Sequence, residues 1–64
     1  MISRVKLERL QRELSQSELS ERIGIPQWRI SLIERGIKPG ADEARKFAEV
    51  FGVEARELFV GVEE

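Results

Sequence analysis

The sequence predicts an all-α fold, a compact bundle of five short helices forming one domain over residues 1–64. Three observations predict it. Apolar residues recur at helical spacing, as in Leu7, Leu10 and Leu14 and again in Ala44, Phe47, Ala48 and Phe51. No stretch alternates polar and apolar residues as a half-buried strand does. Ser15 with Glu18, and the glycines at 24, 36 and 52, mark where helices begin and end.

The first helix is read from about Ser3 to Glu13, with Leu7, Leu10 and Leu14 as its apolar stripe. The second begins after Ser15, an N-cap whose partner Glu18 completes a capping box. It carries Leu19 and Ile23 and stops at Gly24, the residue type best suited to a left-handed turn. The third begins near Pro26, which suits a first helical turn, and ends at Gly36. Ile37-Lys38-Pro39-Gly40 is a loop. The fourth runs from about Ala41 to Phe51, with Asp42 and Glu43 complementing the positive end of its dipole. The fifth is short, about Ala55 to Phe59, and the last residues are expected to fray. There is no repeat, linker or low-complexity segment.

The second and third helices form the informative pair. Leu19, Ile23, Ile25, Ile30 and Ile33 fall where two helices crossing steeply face each other, joined by the tight Ile23-Gly24-Ile25-Pro26 turn. That is a helix-turn-helix over about residues 16–35, a shape that places its second helix in the DNA major groove.

Composition narrows the alternatives. Sixty-four residues bury a modest fraction of their surface, so stability is marginal. The chain has no cysteine and no histidine, which excludes disulfides and the usual zinc sites. No loop has the spacing of a carboxylate metal site, and no cofactor or small-molecule ligand is expected. Without His or Cys the serines have no evident activating base, so an enzyme is not expected. No apolar run approaches the ~18 residues that span a membrane, and Met1-Ile2-Ser3-Arg4 does not begin a signal peptide. The expected location is the cytoplasm of a bacterial, archaeal or phage system. Net charge is −1, but residues 1–38 carry +3 and residues 39–64 carry −4. A basic front half and an acidic back half suit a small DNA-binding face, although ordinary solvated helix surface has the same charges.

Over nearly its whole length the chain resembles the phage-repressor helix-turn-helix domains, the lambda-repressor/Cro-like family. The resemblance rests on Ser15-Gln16-Ser17-Glu18-Leu19, the turn at Gly24, and Ile30-Ser31-Leu32-Ile33-Glu34-Arg35-Gly36. Arg4-Val5-Lys6 with Arg9 resembles the family's first helix, and Phe47 to Val53 with Leu58-Phe59 its last two. The resemblance implies that Gln16 holds a DNA phosphate at a helix N-terminus. It implies that Gln27 reaches a base edge, where glutamine bonds adenine at two points. It also implies that Arg9 and Glu34 form a structural ion pair between the first and third helices. The chain departs from the family pattern at four places. Glu13 stands where many members have glycine, and Ser20 replaces an alanine. The loop after Gly36 holds only Lys38 as a basic residue, and Trp28 and Leu32 occupy the reading face.

These readings define a candidate site. Gln27, Trp28, Arg29 and Leu32 are expected to contact bases, and Gln16, Ser31, Arg35 and Lys38 to contact phosphates. Each has a plainer reading: solvated glutamines, an arginine paired elsewhere on the surface, basic residues that any helix C-terminus favours. The expected function is sequence-specific binding of double-stranded DNA by a transcriptional repressor or regulator. It would act as a homodimer on two half-sites, with the fifth helix and Phe59-Val60-Gly61-Val62 as the dimer surface, as a cover for the core, or as the junction with a further domain. The alternative is a helix-turn-helix adapted to protein–protein interaction, an antagonist or adaptor acting through Trp28 and Leu32.

Overall fold

A computed structural model describes residues 2–59. Its helices are α1 (Arg4–Gln11), α2 (Gln16–Ile23), α3 (Gln27–Glu34), α4 (Ala41–Phe51) and α5 (Ala55–Leu58), and no strand occurs among the described residues. The fold is the all-α five-helix bundle that the sequence predicts, with α2 and α3 as the helix-turn-helix.

Local chemistry sets the boundaries. The Ser3 hydroxyl accepts the Lys6 N–H at 3.1 Å and starts α1. At α2 the Ser15 hydroxyl accepts the Glu18 N–H at 2.9 Å, and the Ser15 N–H donates to Glu18 Oε1 at 2.8 Å. Gly24, at φ 76°, ends α2 in a left-handed conformation that a Cβ would strain. Glu43 reaches back to the Gly40 N–H at 2.8 Å and anchors the first turn of α4.

The core gathers one or more residues from every helix and from the turns between them. Phe47 is fully buried at its centre, with Phe51 stacked 6.4 Å away and Phe59 edge-on at 6.1 Å. Val5, Leu19, Ile25, Ile30, Ile33 and Leu58 close around them.

Two expectations are corrected here. Leu7 and Leu10 are not a buried stripe: they remain 38% and 47% exposed. The inward face of α1 is Val5, Glu8 and Arg9, with Leu14 following. Glu8 is tolerated there because Arg4 and Arg12 both grip its carboxylate, at 2.7 and 2.6 Å. Arg12 also donates to the Phe51 carbonyl at 2.7 Å and lies 4.9 Å over the Phe51 ring, joining α1 to the end of α4. The second correction concerns Phe59. It packs into the core against Phe47 and is not available as a dimer surface. Val60, Gly61 and Val62 lie outside the described residues.

The end of α1 shows a further departure from the ordinary pattern. Glu13 takes φ 58°, the left-handed region. The Glu13 N–H donates to the Leu10 carbonyl and the Leu14 N–H to the Arg9 carbonyl, the paired bonds of a helix ending that normally uses glycine. The end of α3 makes the same two bonds with Gly36 in the equivalent place.

Candidate nucleic-acid interface

α3 buries Ile30 and Ile33, and this fixes what the helix presents to solvent. Gln27, Ser31 and Arg35 follow one another at four-residue spacing along the outer face, with Trp28 and Leu32 beside them. Gln27, Trp28 and Arg35 are exposed; Ser31 and Leu32 are half-buried. Trp28 is the most exposed large apolar side chain among the described residues, at 66%. A face about 12 Å long, carrying an amide, an indole and an aliphatic branch, has the dimensions of a major-groove probe.

Beside this face lies an open cleft lined by Lys6, Gln16, Ser31, Glu34 and Arg35. Gln16 enters it from the first turn of α2, where free N–H groups and the helix dipole favour an anion. Its position is set from beneath. Gln16 Nε2 donates to Glu34 Oε1 at 3.1 Å. Arg9 grips the same carboxylate with Nε to Oε2 at 2.7 Å and Nη2 to Oε1 at 3.1 Å. The third arm of Arg9 donates to the Leu14 carbonyl at 2.8 Å. The Arg9 and Glu34 side chains are only 8% and 4% exposed, so the pair is buried and hydrogen-bonded on both sides. Arg9 neutralises the carboxylate at the floor of the cleft. The cations left at its rim are Lys6 and Arg35, and the Gln16 amide keeps a second donor for an incoming ligand.

Of the residues expected to contact phosphate, the fold therefore brings Gln16, Ser31 and Arg35 together. Lys38 is exposed in the loop that follows Gly36, outside this cleft. Lys6 escaped sequence reasoning because it stands on α1, outside the helix-turn-helix. The available signal was its three-residue spacing from Arg9, which places both on neighbouring parts of α1 facing α3.

Arg29 does not join the outer face. Its guanidinium reaches α4 and pairs with Glu43 at two points, Nε to Oε2 at 2.8 Å and Nη2 to Oε1 at 2.9 Å. The Arg29 hydrogen bonds hold the Glu43 carboxyl below its ordinary range, and Glu43 in turn raises the guanidinium. The expectation that Arg29 contacts bases meets this competing bond. The Glu43 carboxylate matches the guanidinium fork and lies within the protein itself.

A family model described as helix-turn-helix matches residues 5–58, most of the chain. No match emerged among curated proteins or solved structures.

Proposed function

The chain belongs to the lambda-repressor-like helix-turn-helix family of DNA-binding regulators, and from that membership we propose that it binds specific double-stranded sequences and represses transcription. α3 lies in the major groove, and α2 crosses the backbone. Gln16, Ser31, Arg35 and Lys6 hold phosphate at the cleft, with Lys38 on the flanking backbone. Gln27, Trp28 and Leu32 meet base edges: the amide bonds adenine, and the two apolar groups touch thymine methyls. The observation that carries this reading is the cleft, where two cations and a pre-positioned amide adjoin the exposed face of α3. A protein seated on an operator excludes others from the same DNA, so repression is its simplest output.

One such module contacts a small area, on the order of 600–1,000 Å². Useful affinity then calls for a homodimer on half-sites about 34 Å apart. A DNA partner also sets the location, the cytoplasm with its nucleoid. No described helix is long and apolar enough to cross a membrane.

The exposure of Trp28 favours a second reading, in which Trp28 and Leu32 anchor a protein partner. Titration against random duplex DNA at several salt concentrations separates the two. DNA binding through Lys6, Arg35 and Lys38 predicts a log–log slope of about −3 per protomer. A flat response with no binding at low salt would sink the DNA reading and leave the protein partner.

A further inference from the structure

Arg29 is the one basic residue within α3, the helix that presents the reading face. Arginine is also the side chain that most often reads guanine, through a two-point bond to O6 and N7. Here both points of the fork are occupied by Glu43, with good geometry, and Glu43 is itself fixed by the Gly40 N–H at 2.8 Å. The remaining groups of α3 on the outer face are the Gln27 amide, the Trp28 indole, the Leu32 branch and the small Ser31 hydroxyl; Arg35 stands past the C-terminal end of α3, away from the N-terminal part of a recognition helix that meets base edges. An amide donor–acceptor pair fits adenine, and apolar surface fits the thymine methyl. Serine fits either kind of base pair. None of these groups is a cation suited to guanine. Lys6 and Arg35 line the cleft, where the proposed function assigns both to phosphate.

We propose that Glu43 withholds Arg29 from the groove, and that the bases read by α3 are consequently A·T pairs. The inference rests on the DNA-binding reading and names the sequence class that this reading takes. Glu43 is a specificity-determining residue that never touches DNA: it acts by removing a guanine reader from the reading helix. The arrangement also has a cost for guanine-containing sites. To use Arg29 there, the protein must break two charge-assisted hydrogen bonds before forming two others.

The test is selection of bound duplexes from a random pool by the full chain, run in parallel with R29A and E43Q. Glu43→Gln keeps a carbonyl for the Gly40 N–H and removes the charge that holds Arg29. Wild type is expected to select a half-site core of A·T pairs, and R29A the same core. E43Q is expected to gain guanine at one position, enriched about tenfold over wild type. Circular dichroism confirms that each variant is folded. A guanine in the wild-type core overturns the inference, and so does an E43Q core identical to that of wild type. The R29A comparison does not depend on E43Q folding: an R29A core that differs from wild type in base identity also overturns it. Failure of wild type to bind any duplex overturns the DNA reading instead, and this inference with it.

Discussion

At the residue scale, three positions govern what the molecule tolerates: Glu13, Arg9 and Glu34. Glu13 holds a left-handed conformation that costs an L-residue with a Cβ roughly 1–2 kcal/mol, and its side chain is exposed. Glu13→Gly is expected to stabilise the protein by about 0.5–1 kcal/mol once the added freedom of the unfolded chain is subtracted. Thermal unfolding should show this as a midpoint a few degrees higher. The family resemblance flagged this position, because many members carry glycine where Glu13 stands. The buried Arg9–Glu34 pair behaves differently. Glu34→Ala leaves a guanidinium in the interior with only the Leu14 carbonyl, and the expected loss is roughly 3–5 kcal/mol. In so small a domain that approaches the whole of its stability. The double variant R9M/E34L, apolar on both sides, should lose less than either R9M or E34L alone. Urea denaturation of the set measures the coupling directly.

At the element scale, periodicity located the helices but misread a face of one. α2, α3 and α4 have apolar positions and end signals that agree, and the structure places them where the sequence does. α1 defeated the same reasoning. Its inward side carries Glu8 and Arg9, residues that a hydrophobic pattern assigns to solvent. They are buried because their partners, Arg4, Arg12, Glu34 and the Leu14 carbonyl, satisfy every charge. A partner 25 residues away leaves no mark in local spacing, and the Arg9–Glu34 pair was legible only through the family resemblance. Lys6 stands on α1, outside the helix-turn-helix motif, and of the two readings of Arg29, a DNA contact or a surface partner, the free structure shows the partner, Glu43 of α4. α3 and α1 make separable predictions about binding. Gln27→Ala should relax discrimination at one base pair, by about 1–3 kcal/mol, and leave the salt slope unchanged. Lys6→Ala and Arg35→Ala should each weaken all sequences alike and reduce the salt slope by about 1. Fluorescence anisotropy with matched and mismatched duplexes across a salt series reads both effects. If Gln27→Ala weakens every sequence equally, its role as a base reader is wrong.

At the scale of the whole molecule, the ion pairs set a response to acid. Among the described residues, three carboxyls titrate below the ordinary value of 4.5 in the folded state: Glu8 through the Arg4 and Arg12 hydrogen bonds, Glu18 through the Ser15 N–H, and Glu43 through Arg29. A depressed folded value means that the unfolded chain binds protons first. The stability these groups contribute is therefore complete above about pH 4.5, and it is lost as the pH falls through their lowered folded values. Thermal midpoints measured from neutral to acid pH should stay level and then fall below that point, and an E8Q/E43Q variant should fall less steeply. The net charge of −1 conceals this, because it counts charges without saying which are held. The shared Glu34 carboxylate has one more consequence, for transplantation. Gln16 owes its pose to Glu34, and Glu34 owes its burial to Arg9, a residue of α1. The helix-turn-helix is thus not a portable cassette. Residues 15–36 moved onto another scaffold would carry Gln16 and Glu34 but leave behind the guanidinium that seats them, so any such chimera must bring Arg9 across as well.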